Sequence, residues 1–358
     1  MKGAIPDEDQ RGQDPVGEAP GDGLGAQDPV GEAPGDGLGA MADLLRDTVF
    51  PALGVVEEAE DGVHIELSGS RQVLTTDVFT VDPLEFPGGD IGRLAVCGVI
   101  NDLAASGARA RFLTVGLLLS ASLDRRVLLR VLRSLGAEAD RAGCRVVCGD
   151  TKIHQGAEPQ MIITVTALGE PFGEHTYALA ASRPGDLIGV TGPLAGHSIA
   201  VLSAREGLGF EHVTASDVAP LVNPVEAVVR RVPLRSLRDL TRGGLVGALW
   251  DGAFATGCHW QFEEASVPVD RPVRAASELL GMDPLLLTNE GVMLFTVDAA
   301  HADDAVAVLA EFPETSGTRI IGEIHASTSE EAEVTMVTAD GRVRAVPYPY
   351  ALGVPRLC

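Results

Sequence analysis

The chain has 358 residues, with 51 Asp and Glu against 27 Lys and Arg, for a net charge of −24. That excess excludes a general nucleic-acid or anionic-membrane binder, which needs a basic face, but leaves nucleotides open because acidic sites hold phosphates through Mg²⁺. Its 45% hydrophobic content excludes global disorder; 42 Gly, 22 Pro and 4% aromatics suggest a turn-rich α/β protein, and the length suggests two domains.

Gln13–Ala26 reads QDPVGEAPGDGLGA, and Gln27–Ala40 repeats it without a mismatch. Fourteen residues this polar are too short for a stacked repeat unit, so 1–40 reads as a disordered acidic tail. Its nine acids and two bases place −7 there and leave −17 for the rest. No signal-like apolar region opens the chain, and no run reaches the ~18 apolar residues of a membrane span. Five cysteines, an odd number, argue against a secreted disulfide framework and for a reducing cytoplasm.

Folded structure is expected from Met41. Leu44, Leu45, Val49 and Leu53 have helical spacing over 42–53. A strand over 71–76 runs into Asp77. Small and apolar residues from Ile91 to Ser106 predict a buried helix ended by Gly107, and Phe112–Ser120 is an apolar run of strand length. Asp124–Arg141 is an amphipathic helix closed by Gly143. Strand 145–148, a Gly149-Asp150-Thr151 turn and strand 161–168 complete a domain over 41–175.

A second domain over 176–345 opens with strand 186–191. Helices follow over 198–206, 224–232, 243–256, 271–280 and 302–312, with strands over 291–297 and 319–324 and a hairpin through Asp340-Gly341. The architecture is two α+β halves with mixed sheets. Residues 346–358 carry three prolines in the last twelve positions and read as an extended arm ending in Cys358.

Four aspartates stand beside small residues: Asp77, Asp102, Asp150 and Asp239. Mg²⁺ bridges one or two carboxylates to substrate phosphates, and this set can supply them; each alone is equally a turn or cap residue. Gly243-Gly244 opening a helix suits an anion, as does the Gly35/Gly37 stretch, although neither fits a Walker or dinucleotide fingerprint. Lys152 is one of two lysines in the chain and adjoins Asp150 and Thr151, so it can clamp phosphate or move a proton. Glu290 is a candidate base or a plain turn carboxylate. Cys144 and Cys148 read as two buried thiols rather than a zinc pair, and the histidines show no metal spacing. A thiol on an arm can act as a swinging carrier, because the thiolate is the nucleophile; Cys358 is equally readable as an arbitrary last residue.

Thr75-Thr76-Asp77, Val81-Asp82-Pro83-Leu84, the Phe86–Ala95 segment FPGGDIGRLA, Asn101-Asp102, Gly149–Lys152 (GDTK), Asp239–Gly244 (DLTRGG), Asn289-Glu290-Gly291 and Pro355–Cys358 (PRLC) together resemble the HypE family of hydrogenase maturation proteins. That family belongs to the aminoimidazole-ribonucleotide-synthetase-like superfamily of ATP-using enzymes. The resemblance runs from about Pro34 to Cys358. It implies a two-domain mixed α/β fold, with an N-terminal domain that dimerises through a shared barrel and a C-terminal α/β domain.

The same resemblance implies ATP and Mg²⁺ between the domains. Asp77, Asp102, Asp150 and Asp239 would hold Mg²⁺–ATP with Thr151 and Thr241, and Gly243, Gly244, Gly35 and Gly37 would approach the phosphates. Cys358 would receive a carbamoyl group from a HypF-type carbamoyltransferase. ATP-driven dehydration, with Lys152 and Glu290 moving protons, would turn it into a thiocyanate. The cyanide would pass to iron on a HypC–HypD scaffold, for nickel–iron hydrogenase. The family's His-Gly-x-Gly-Gly loop is Pro34-Gly35-Asp36-Gly37-Leu38 here, which puts that loop's role in question. Two other readings stay open: another superfamily ATP enzyme such as a thiamine-monophosphate kinase, or a non-catalytic maturation scaffold. A selenophosphate synthetase would carry a reactive Cys near its start, and none precedes Cys97.

Overall fold

The computed structural model describes residues 44–54, 71–209, 214–327 and 332–349. The repeat tail, the Gly35/Gly37 loop and Cys358 lie outside the described residues. Of the expected first helix, a π-helical turn over Leu45–Val49 and a short turn over Phe50–Ala52 form.

The first half holds β1 (Val73–Phe79), a small hairpin of β2 (Glu85–Phe86) and β3 (Gly89–Asp90), α1 (Ile91–Ala105), β4 (Ala108–Ser120), α2 (Arg125–Ala142), β5 (Arg145–His154) and β6 (Met161–Pro171). Its sheet runs β1-β6-β4-β5. The β4/β5 pair is parallel and the others antiparallel; a parallel pair needs a crossover, which α2 supplies. Period-two patterning gives the sheet two unlike faces. Met161, Ile163, Val165 and Ala167 of β6 are buried on the helix side, while Ile162, Thr164, Thr166 and Leu168 are half-buried on the other. Leu74 and Val78 on β1 are largely exposed. Both helices start where their sequences say. Asp90 caps α1 by accepting from the Gly92 and Arg93 N–H groups, and Asp124 caps α2 by accepting from Arg126 N–H.

The second half holds β7 (Asp186–Val190), α3 (Gly196–Glu206), α4 (Val222–Arg231), β8 (Leu234–Asp239), α5 (Gly244–Thr256), β9 (His259–Glu263), α6 (Arg271–Leu280), β10 (Met293–Asp298), α7 (Ala302–Leu309), β11 (Arg319–His325), β12 (Glu333–Val337) and β13 (Val343–Ala345). Seven strands form one sheet, ordered β13-β12-β9-β11-β7-β10-β8, with only β12/β9 parallel. Both faces are covered. Met293, Phe295 and Val297 of β10 enter one core with α4 and α7, while Leu294 enters a second with α5 and α6. The first core is continuous with that of the N-terminal half. Helix α1 is buried along nearly its whole length, because it packs on β1 and β6 on one side and on β8 and α4 on the other.

Three local readings change. No turn forms at Gly149-Asp150-Thr151. Strand β5 continues through it to His154, with Gly149 pressed against the Val115 carbonyl so closely that a side chain would collide. Strands β8 and β9 are absent from the pattern reading. Arg235 and Arg238 interrupt the apolar run of β8, since they serve ion pairs with Asp186, Asp298 and Asp251. Cys144 is buried but Cys148 is exposed, so the two thiols are not a buried pair.

Candidate functional site

Three of the four aspartates meet where α1 ends. Asp102 lies in its last turn and accepts a hydrogen bond from Thr75 Oγ1 on β1 at 2.9 Å. Asp77 sits mid-strand on β1. Its register partner is Val165, a buried residue, so Asp77 is on the helix side of the sheet. Asp239 ends β8, and Thr241 Oγ1 donates to its Oδ2 at 3.0 Å. Burial above all, then the Asp239 and Asp77 charges, push the Asp102 carboxyl up to about 7; the Thr75 hydrogen bond and Arg238 pull the other way. The part of that shift contributed by two neighbouring carboxylates marks a local excess of negative charge.

Gly243 and Gly244 open α5 beside this group, and both have positive φ, at 78° and 57°. A Cβ on Gly244 would lie 2.6 Å from the Leu287 carbonyl oxygen, so glycine is required there twice over. No side chain caps this helix start, which follows Asp239 by four residues and leaves its first N–H groups without a side-chain acceptor.

The remaining predicted residues lie elsewhere. Asp150 and Lys152 are on β5, at the opposite edge of the sheet from Asp77. Three strand spacings separate them, about 14 Å. Register pairs Asp150 with Gly116 and thence Thr164, on the open face. Lys152 Nζ is 3.4 Å from Asp150 Oδ2, and both side chains are more than two-thirds exposed. Thr151 is buried. Glu290 is buried between the halves; its N–H donates to Asp217 and its carbonyl accepts from Asn101 Nδ2.

Sequence reasoning did not single out the residues that hold this junction. Asn101 Nδ2 donates to the Ala219 and Glu290 carbonyls, and its Oδ1 accepts from Leu221 N–H. Asn289 bonds to Leu240, Leu287 and Ala195. Asp217 accepts from the backbone of His197, Glu290 and Gly291. The two asparagines lie in motifs noted above, beside residues that drew attention for their charge. Asp217 has no sequence signal: an Asp after Ser reads as a turn.

Among the described residues, no three His, Cys, Asp or Glu groups stand close enough to hold a metal ion by themselves. No helix among them is long and apolar enough to cross a membrane.

Comparison with known proteins fits this layout. Residues 59–170 match the family model "AIR synthase related protein, N-terminal domain", and residues 183–335 match its C-terminal counterpart. The chain is 37% identical over 324 residues to carbamoyl dehydratase HypE of Rhodobacter capsulatus, covering 89% of this chain and 95% of that one. The chain belongs to the HypE family of carbamoyl dehydratases.

A solved HypE structure in complex with ATP superposes on this HypE-family chain with a TM-score of 0.82 at 36% identity, over 89% of this chain and 96% of that one. A HypE–HypF complex gives a TM-score of 0.74 at 35% identity, over 78% and 90%. Thiamine monophosphate kinase of Aquifex aeolicus, at 19% identity and a TM-score of 0.56, shares the fold alone. The kinase reading is therefore not favoured, and the expected two-part AIR-synthase-like architecture is present.

Proposed function

We propose that this chain dehydrates a carbamoyl group on its own Cys358 to a thiocyanate, using ATP held where α1, β1, β8 and α5 meet. The acidic group beside an uncapped helix start carries this reading. Phosphates suit the N–H groups of such a start, and the carboxylates need a cation between them and the phosphates. The donor set fits Mg²⁺: Asp77, Asp102 and Asp239 offer only hard oxygens, and Mg²⁺ is usually held by one or two carboxylates with phosphates completing the shell. Bound there, Mg²⁺ would neutralise charge developing on the transferred phosphoryl group.

The chemistry assigns the remaining work. An amide oxygen leaves poorly as hydroxide. Its attack on the γ-phosphorus forms an O–P bond and expels ADP, while one N–H proton goes to a base. Breaking the C–O bond then releases phosphate, the second N–H proton leaves, and S–C≡N remains. Glu290, buried against Asn101, and Lys152 are the proposed proton carriers. The buried seam around Asn101, Asn289 and Asp217 would exclude the water that hydrolyses the intermediate.

Asp150 and Lys152 reach this site from a second copy, while Thr151 between them is buried on the helix side of its own sheet. One face of the four-stranded sheet is half-bare, Leu74 and Val78 are exposed on it, and these residues stand at the far edge from Asp77. A homodimer closing two such sheets into a barrel buries that face and brings the far edge in. By analogy with the HypE–HypF complex, a carbamoyltransferase loads Cys358; a HypC–HypD scaffold is the proposed cyanide acceptor, in the cytoplasm.

The test is a mass measurement on the C-terminal peptide. With the carbamoyltransferase and carbamoyl phosphate the peptide should gain about 43 Da, and ATP with Mg²⁺ should then remove about 18 Da. A carbamoylated peptide that never loses water overturns the reading.

A further inference from the structure

The described chain ends by fastening itself to α5. Val346 N–H donates to the Val334 carbonyl at 2.9 Å, continuing the β12 edge. Two residues later the Tyr348 ring stands edge-on to both Trp250 and Phe254, with centroids 5.8 and 5.5 Å away at 77° and 79°. Trp250 and Phe254 themselves lie 5.2 Å apart, so three rings form one cluster on the outer face of α5. Edge-to-face contact at these separations is the arrangement that aromatic ring quadrupoles favour. Pro349 is buried, and its Cγ would lie 3.5 Å from a Cβ on Gly243. The chain thus reaches the glycine pair at residue 349, with nine residues left to the terminal thiol.

We propose that Tyr348 is a positioning residue for the dehydration: gripped by Trp250 and Phe254, it fixes the departure point of the last nine residues beside the start of α5. This rests on the reading that Cys358 carries the carbamoyl group. Nine residues span at most about 30 Å, which suffices from a departure point at Gly243. Without the grip the last fixed point is Val346. The tether then grows by three residues and its origin moves up to about 10 Å from the glycines. Dilution by the longer tether costs less than twofold, since effective concentration falls roughly as the −3/2 power of length. The larger loss comes from orientation: the two prolines flanking Tyr348 fix φ only at their own positions, and the ring sets the direction in which the chain leaves.

The experiment uses full-length chain, carbamoylated on Cys358, in a single turnover with saturating Mg²⁺–ATP, and follows loss of water by mass. Tyr348→Ala should slow that step by about threefold or more, with ATP affinity and melting temperature unchanged, and Tyr348→Phe should restore the rate. Phe254→Ala, an exposed position, should reproduce the defect. Tryptophan emission checks the grip itself. Of the two tryptophans, Trp260 is fully buried, so Tyr348→Ala should red-shift the Trp250 component. A rate change under threefold, an unshifted emission, a phenylalanine variant as slow as alanine, or a parallel loss of ATP affinity each overturns the inference. A wild-type chain that never loses water sinks the carrier reading and this inference with it. A wild-type chain that turns over beside an equally fast Tyr348→Ala sinks this inference alone.

Discussion

His197 is fully buried at the start of α3, with Nδ1 2.9 Å from Ser216 Oγ and its ring edge-on to Phe86. Burial pushes its pKa down to about 3, well below the ~6.5 of an unfolded chain. Between those values the unfolded state binds the extra proton, so stability rises with pH. The contribution is complete above about pH 6.5 and is lost as pH falls toward 3, at no more than ~1.4 kcal/mol per unit. Replacing His197→Asn, which keeps a partner for Ser216, should flatten this slope in denaturant titrations across that window. The neighbouring Asp217 is raised by burial and acts in the opposite sense, so the quantity to read is the difference between wild type and variant at each pH. Identical slopes would show that His197 does not carry the effect. Nothing in the sequence marked His197, since burial is a property of its neighbours. The Asp102 carboxyl was legible as a candidate, but its elevation depends first on burial and then on the charge of Asp239, 137 positions away.

At the scale of elements, α5 shows how a site is built into a helix start. Gly244 has φ of 57° and backbone carbonyls of Leu287 and Leu285 within 2.6 and 2.8 Å of where a Cβ would sit. Gly257 ends the same helix with φ of 65° and open space around it. Alanine at 257 should therefore cost only the left-handed penalty, about 1 kcal/mol. Alanine at 244 should cost at least 2 kcal/mol and weaken ATP binding as well. Chemical denaturation of both variants measures the difference; equal costs would mean the carbonyl wall yields. The paired glycines were readable as a helix start because Gly-Gly before an apolar run is a local signal. Strand β8 was not, because its arginines answer to acids on β7, β10 and α5. The supposed turn at Gly149–Thr151 failed for a related reason: turn-forming residues stay extended when a neighbouring strand supplies the hydrogen bonds.

For the whole molecule, the separation of Asp102 from Lys152 gives a test of shared sites. If each site takes Asp77, Asp102 and Asp239 from one copy and Asp150 and Lys152 from its partner, Asp102→Asn and Lys152→Ala are each inactive alone. After subunit exchange, half of the dimers are mixed, and each mixed dimer has one site free of both changes. Activity in an equimolar mixture should recover to about a quarter of wild type. Sites confined to one copy would recover nothing, because every copy carries a lesion. Single-turnover dehydration in the mixture reads the outcome directly.

The sequence by itself determined the acidic balance, most helices and their caps, the mixed α+β halves and the set of residues proposed to bear chemistry. Those are local matters: periodicity, capping side chains and motif spacing need no distant partner. Only the tertiary structure decided which of those residues meet. It gathered Asp77, Asp102 and Asp239 around one end of a buried helix and left Asp150 and Lys152 three strands away. It also set Asn101, Asn289 and Asp217 as the hydrogen-bonded seam, and laid Tyr348 against α5 beside Gly243. Packing of one element on another creates such proximities, and a burial-shifted carboxyl or a shared site exists only once that packing is made.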